Sequence, residues 1–144
     1  MPVFGDRYLA VKSIMMPRDT NPYGTIFGGV VLSHIDMAGA IGAAHAVRVR
    51  GLPEKPLVTV AMASVEFHKP VFVGDVVSYW TKVKRWGRTS LTMQVTVEAD
   101  RGGKDEKLTE AEVTYVAVDL SSEPRQTVPI SDEDESESAA NPPE

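Results

Sequence analysis

Phe27-Gly28-Gly29-Val30-Val31-Leu32-Ser33-His34-Ile35-Asp36-Met37-Ala38-Gly39-Ala40-Ile41-Gly42-Ala43-Ala44 is the stretch that decides the fold of this 144-residue chain. From Gly28 to Ala44 only Ser33, His34 and Asp36 are polar. A helix here is apolar on nearly every side and is expected to be buried rather than draped over a surface. Asp36 then stands where an unpaired carboxylate costs on the order of several kcal/mol. Such a position is usually kept for chemistry, and Asp36 reads as a catalytic carboxylate. A buried Asp bonded to backbone, to Ser33 or to His34 is the competing account, and residue types alone leave both open.

Upstream of the helix, Tyr8 to Met16 suits a strand that Pro17 ends, and Arg18 to Thr25 is dense in turn residues. The helix is expected to end between Arg48 and Gly51, where Arg48 and Arg50 favour its negative end. Four strands follow, at Leu57–Phe67, Val76–Trp86, Thr89–Ala99 and Leu108–Val118. The third has the clearest period of two, with Leu91, Met93, Val95 and Val97 inward and Thr92, Gln94, Thr96 and Glu98 outward. One helix among antiparallel strands gives an α+β layout, a long buried helix wrapped by a curved sheet of about five strands. A single sheet on a single helix leaves edges uncovered, so self-association through sheet and helix is expected.

The glycine pair Gly28-Gly29 opens the helix, where backbone N–H groups lack intrahelical partners and the dipole favours negative charge. Glycine lets a carbonyl oxygen come close to those amides, which is how an oxyanion hole is made without side chains. The plainer account is that the glycines only ease helix–sheet packing. Asp36 lies eight residues further on, about 12 Å along the axis at ~1.5 Å per residue. One helix cannot bring both to a single carbonyl. Two antiparallel helices across a dimer interface can, each presenting its Asp36 to the other's N-terminus.

Cations and hydroxyls gather at Lys82-Val83-Lys84-Arg85-Trp86-Gly87-Arg88-Thr89-Ser90, with Lys69 just before the strand that leads there. Arg and Lys suit phosphates and Trp86 suits a purine face; a solvated basic turn is the plainer account. The formal charge of −5 is a tail property: residues 131–144 hold six acids and no base, leaving the body at about +1. Residues 1–130 therefore read as one domain, and 131–144 as an acidic, disordered tail. A body so nearly neutral argues against nucleic acid. No apolar run approaches the ~20 residues of a membrane span, and the N-terminus has no signal-peptide pattern. There is no cysteine, which removes disulfides, thiolate catalysis and Cys-ligated metals and points to the cytoplasm. His34, His45 and His68 form no metal-ligand spacing, and no nucleophile elbow, P-loop or dinucleotide fingerprint occurs.

The stretch Met16-Pro17-Arg18-Asp19-Thr20-Asn21-Pro22-Tyr23-Gly24-Thr25-Ile26-Phe27-Gly28-Gly29, continued by Leu32-Ser33-His34-Ile35-Asp36-Met37-Ala38-Gly39, strongly resembles the hotdog-fold acyl-CoA thioesterases, in particular the YciA-type acyl-CoA hydrolases. Val65-Glu66-Phe67-His68-Lys69-Pro70, Val73-Gly74-Asp75 and Gly87-Arg88-Thr89-Ser90 extend the likeness over roughly Leu9 to Pro129. The resemblance implies that Asp36 is the catalytic carboxylate, that Phe27, Gly28 and Gly29 form the helix start whose amides polarise the thioester carbonyl, and that Asn21 is a loop asparagine near the site. It also implies that Lys69, Arg88, Thr89 and Ser90 meet the nucleotide end of coenzyme A, that hydrolysis uses no cofactor or metal, and that the chains form homodimers assembled as trimers of dimers. Thr25, Tyr23 and His34 depart from the family's usual residues, which bears on acyl-length preference. A non-catalytic acyl-CoA-binding or regulatory module on the same fold is the alternative function, and a hotdog hydratase a more distant one.

Overall fold

Alternating apolar residues build the sheet, and glycines in the helix set how close the two can come. The computed structural model describes residues 6–131. In chain order it has β1 (Tyr8–Ile14), a 3₁₀ turn at Pro17–Asp19, α1 (Gly28–Val49), β2 (Leu57–Phe67), β3 (Val76–Trp86), β4 (Ser90–Asp100), β5 (Asp105–Asp119) and the short β6 (Gln126–Thr127). The acidic tail falls outside the described residues from 132 onward.

All neighbouring strands pair antiparallel, in the order β1-β3-β4-β5-β2 with β6 on the end of β5. The bounds of β2 and β3 are those expected from the sequence. β1 stops two residues early, and β5 starts three residues before Leu108 because Asp105 pairs with Asp100 across the Arg101–Lys104 turn. β6 is too short to leave a periodic signal.

The inward row Leu91, Met93, Val95 and Val97 is fully enclosed, together with Val77 and Tyr79 of β3 and Val113, Tyr115 and Ala117 of β5. Against this wall α1 lays Val31, Ile35, Ala38, Gly39, Gly42, Ala43 and Val47. Two of its glycines are required by the distance of approach. A Cβ on Gly42 would meet Thr81 Oγ1, and one on Gly39 would meet the Tyr115 hydroxyl, both well inside van der Waals contact.

The burial of α1 departs from expectation. Within one chain only one face is covered, because the sheet reaches only one side. Gly29, Ser33, Met37 and Ile41, each four residues after the last, form an exposed stripe, with Met37 50% and Ile41 39% accessible. At 22 residues α1 also has the length and apolarity of a membrane span, longer than the apolar run alone suggested, and one of its faces packs on the sheet.

β2 is the other unfinished surface. It is an edge strand with residues 59–61 and 66–67 exposed. Its pairing with β5 slips at Thr59/Ala61 and again at Ala63/Glu66, where Ser64 takes φ 53°. These bulges break the strict alternation read from the sequence.

Candidate active site

The loop before α1 is tied by its own side chains. Asn21 Oδ1 accepts from the amides of Tyr23 (2.9 Å) and Thr25 (3.1 Å), and its Nδ2 donates to Thr25 Oγ1 at 2.7 Å. The Asn21 amide donates to the Thr25 carbonyl at 2.7 Å. Asn21 thus builds the loop, and Thr25, where the sequence departs from the family, is what it grips. The chain enters the helix through Phe27, whose amide donates to the Asp19 carbonyl at 2.9 Å. Phe27 is 54% exposed.

The amides of Gly28 and Gly29 find no acceptor among the described residues, as the first turn of a helix requires. An added Cβ at Gly29 meets nothing within 4 Å, and one at Gly28 meets only the Phe67 ring at 3.5 Å. The helix start is therefore open. Beside it lies a cavity of about 190 Å³ lined by Gly28, Phe67, Lys69, Pro70 and Val71 among others. Lys69 holds Glu106 at 2.9 Å.

Two helical turns further on, Asp36 is half-buried beneath the β2 edge. Its Oδ1 accepts from Thr59 Oγ1 at 2.7 Å and lies 3.3 Å from the Tyr115 hydroxyl, which donates to the Asp36 main-chain carbonyl at 2.7 Å. No other hydrogen bond reaches the carboxylate among the described residues, so Oδ2 is unengaged. The partners foreseen for a merely structural Asp are elsewhere: His34 Nδ1 contacts the Val30 carbonyl at 2.8 Å and its ring stacks on Tyr79. Thr59 and Tyr115 were not visible to sequence reading. They lie 23 and 79 residues from Asp36, and only strand register brings them there.

The basic turn is at the opposite end of α1. Gly87 and Ser90 close it through the Gly87 amide, which donates to the Ser90 carbonyl at 2.8 Å. The Thr89 carbonyl accepts from Ala117 and the Arg88 carbonyl from Ile130, each at 2.9 Å. Trp86, at the base of this turn, lies under the Arg50 guanidinium just past the helix C-terminus. Lys69, grouped with this turn on sequence, stands instead beside the helix start. One chain thus holds Asn21, Phe27, Gly28, Gly29 and Lys69 at one end, Asp36 in the middle, and Arg88, Thr89 and Ser90 at the other.

One cluster has metal-ligating residue types. His68 Nε2 lies 3.0 Å from Glu110 Oε2 and 3.5 Å from Glu66 Oε1. Lys107 Nζ also reaches Glu110 Oε2, at 3.3 Å. A cation already sits on the central carboxylate, so the group reads as an ion-pair network on the outer face of the sheet. His68 in particular holds Glu110 below the usual carboxylate range.

Residues 23–106 match the model of the thioesterase superfamily. The acyl-CoA thioester hydrolase YciA of Escherichia coli is 37% identical over 81% of this chain and 88% of its own length. Among solved structures, the hexameric hotdog-fold thioesterase Cj0915 of Campylobacter jejuni superposes with a TM-score of 0.70 at 42% identity, covering 85% of this chain and 90% of that one. An acyl-CoA hydrolase of Staphylococcus aureus, solved with butyryl coenzyme A and coenzyme A, superposes at 0.69 with 28% identity over 91% and 77%. The chain belongs to the thioesterase superfamily. Its single long helix against an antiparallel sheet is the hotdog fold.

Proposed function

We propose that this hotdog protein is an acyl-CoA thioesterase that hydrolyses the thioester of acyl-CoA to a free acid and coenzyme A, with Asp36 as its catalytic carboxylate. The observation that carries the assignment is the arrangement around Asp36: Oδ1 is anchored by Thr59, while Oδ2 is unengaged at an uncovered edge of the fold. Relatives named as acyl-CoA thioester hydrolases support the activity. The Staphylococcus aureus hydrolase has been solved with an asparagine, and with an aspartate fifteen residues beyond it, each replaced by alanine. Asn21 and Asp36 are the same residue types at the same separation.

In this reading the thioester carbonyl oxygen rests on the amides of Gly28 and Gly29, which are aimed where negative charge develops. Asp36 takes a proton from water as the water oxygen attacks the carbonyl carbon; the C–S bond then breaks and the sulfur leaves with a proton. Attack by Asp36 itself, giving an anhydride that water opens, uses the same groups. Arg88, Thr89 and Ser90 meet the nucleotide end, with Phe27 at the mouth, while Lys69 lines the cavity beside the helix start. Neither route calls on a metal or cofactor.

The ~12 Å along the axis between Gly28 and Asp36 makes each site a product of two subunits. The exposed β2 edge and the Met37–Ile41 stripe are the surfaces that a second copy covers. Antiparallel pairing of two helices brings each Asp36 toward the partner's helix start, in a dimer that assembles further as a trimer of dimers; relatives described as hexameric agree with a higher assembly. The cysteine-free composition suits the cytoplasm. Thiol release from a panel of acyl-CoAs tests the activity, and Asp36→Ala tests the residue. The variant is expected to lose at least about a hundredfold in turnover, the lower end of general-base contributions. A panel with no hydrolysis but measurable binding would favour a non-catalytic acyl-CoA module instead.

A further inference from the structure

Tyr115 is fully enclosed, yet its hydroxyl is aimed at one residue, and a hole has been left in the helix to admit it. The oxygen lies 2.7 Å from the Asp36 carbonyl and 3.3 Å from Asp36 Oδ1. It occupies the space where a Cβ on Gly39 would be. Burial, with the Asp36 charge and hydrogen bond adding to it, raises the phenol far above its ordinary value, so it remains a neutral donor. Its single proton bridges the backbone and the carboxylate of the same residue. Thr59 donates to the same Oδ1 from the opposite strand. Two donors on one oxygen leave Oδ2 as the only carboxylate atom open to a proton from water.

We infer that Tyr115 is a positioning residue for Asp36, and that Gly39 is present so that the Tyr115 hydroxyl can reach it. Any buried phenol needs an acceptor for its proton; what sets this one apart is that the carbonyl and the carboxylate it reaches belong to the same residue. A buried hydroxyl that grips both ends of one residue fixes its χ angles as well as its height on the helix. Fixing the base matters because a displacement of ~1 Å costs up to ~100-fold in rate.

The inference rests on Asp36 being the catalytic carboxylate, and the test separates the two claims. Tyr115→Phe is measured in the full-length protein for kcat, KM and Tm, and again in an Asp36→Asn background. A kcat lowered between about ten- and a hundredfold, with KM unchanged to within about twofold, is expected. The same substitution should change the residual rate of the Asp36→Asn variant little, since its effect passes through the carboxylate. An equal fractional loss in both backgrounds, or a loss confined to KM and Tm, overturns the positioning role. An Asp36→Asn variant with full turnover overturns the assignment of Asp36 itself, and the Tyr115 inference with it. Should Tyr115→Phe fold poorly, Gly39→Ala displaces the hydroxyl while keeping the phenol. Adding Tyr115→Phe to Gly39→Ala should then recover Tm without recovering kcat; recovery of both overturns the inference.

Discussion

At the scale of single residues, the proposed chemistry rests on donors around one carboxylate and cations at a distance from it. Asp36 is legible as a candidate because a lone acid in a run of Gly, Ala and Val demands a reason. The donors that hold it were not, since Thr59 and Tyr115 look like any other strand residues until register is known. Arg88 tests the distant end of the proposed substrate. Arg88→Ala is expected to raise KM for acyl-CoA while affecting a short thioester without the nucleotide much less, because a charge-assisted phosphate contact acts mainly on binding. Steady-state kinetics on the two substrates decide this, and equal losses on both would assign Arg88 to the fold.

At the scale of elements, the helix glycines fall into two kinds that sequence alone does not separate. Gly42 packs on Thr81, so Gly42→Ala is expected to destabilise by about 1–3 kcal/mol through overpacking, as read by denaturant unfolding. Gly29 faces open space. Gly29→Ala should therefore leave the unfolding midpoint unchanged or raise it, while turnover falls if the helix-start amides hold the carbonyl oxygen. Strand periodicity gave the four long strands and their order in the chain, because each is bounded by Pro, Gly or a charged turn. It missed β6, with only two residues, and the bulges of β2, where alternation yields to the edge. Burial of α1 was overestimated for a physical reason: an all-round apolar helix predicts burial by something, and one chain supplies only half of the cover.

At the scale of the whole molecule, acid and assembly are the two variables. Lys69 followed by Arg101 holds Glu106 below its ordinary value of 4.5, His68 does the same for Glu110, and the Ser121 hydroxyl for Asp119. A carboxylate lowered on folding contributes stability that is complete above its unfolded value and is lost as pH falls through its folded one. Thermal melts should therefore lose Tm below about pH 4.5, and Glu110→Gln should flatten that decline; an unchanged acid limb in the variant would remove Glu110 from the account. Assembly bears on the central claim, that each site is shared between two chains. Asp36→Ala and Gly28→Val chains, each inactive alone, are to be mixed under conditions of verified subunit exchange, and thioesterase activity measured on purified mixed dimers. Two-fold symmetry gives every mixed dimer one site with both an intact Asp36 and an intact Gly28, so activity is expected to return to about half that of wild type. Verified mixed dimers that stay inactive would place the whole site within one chain and contradict the account.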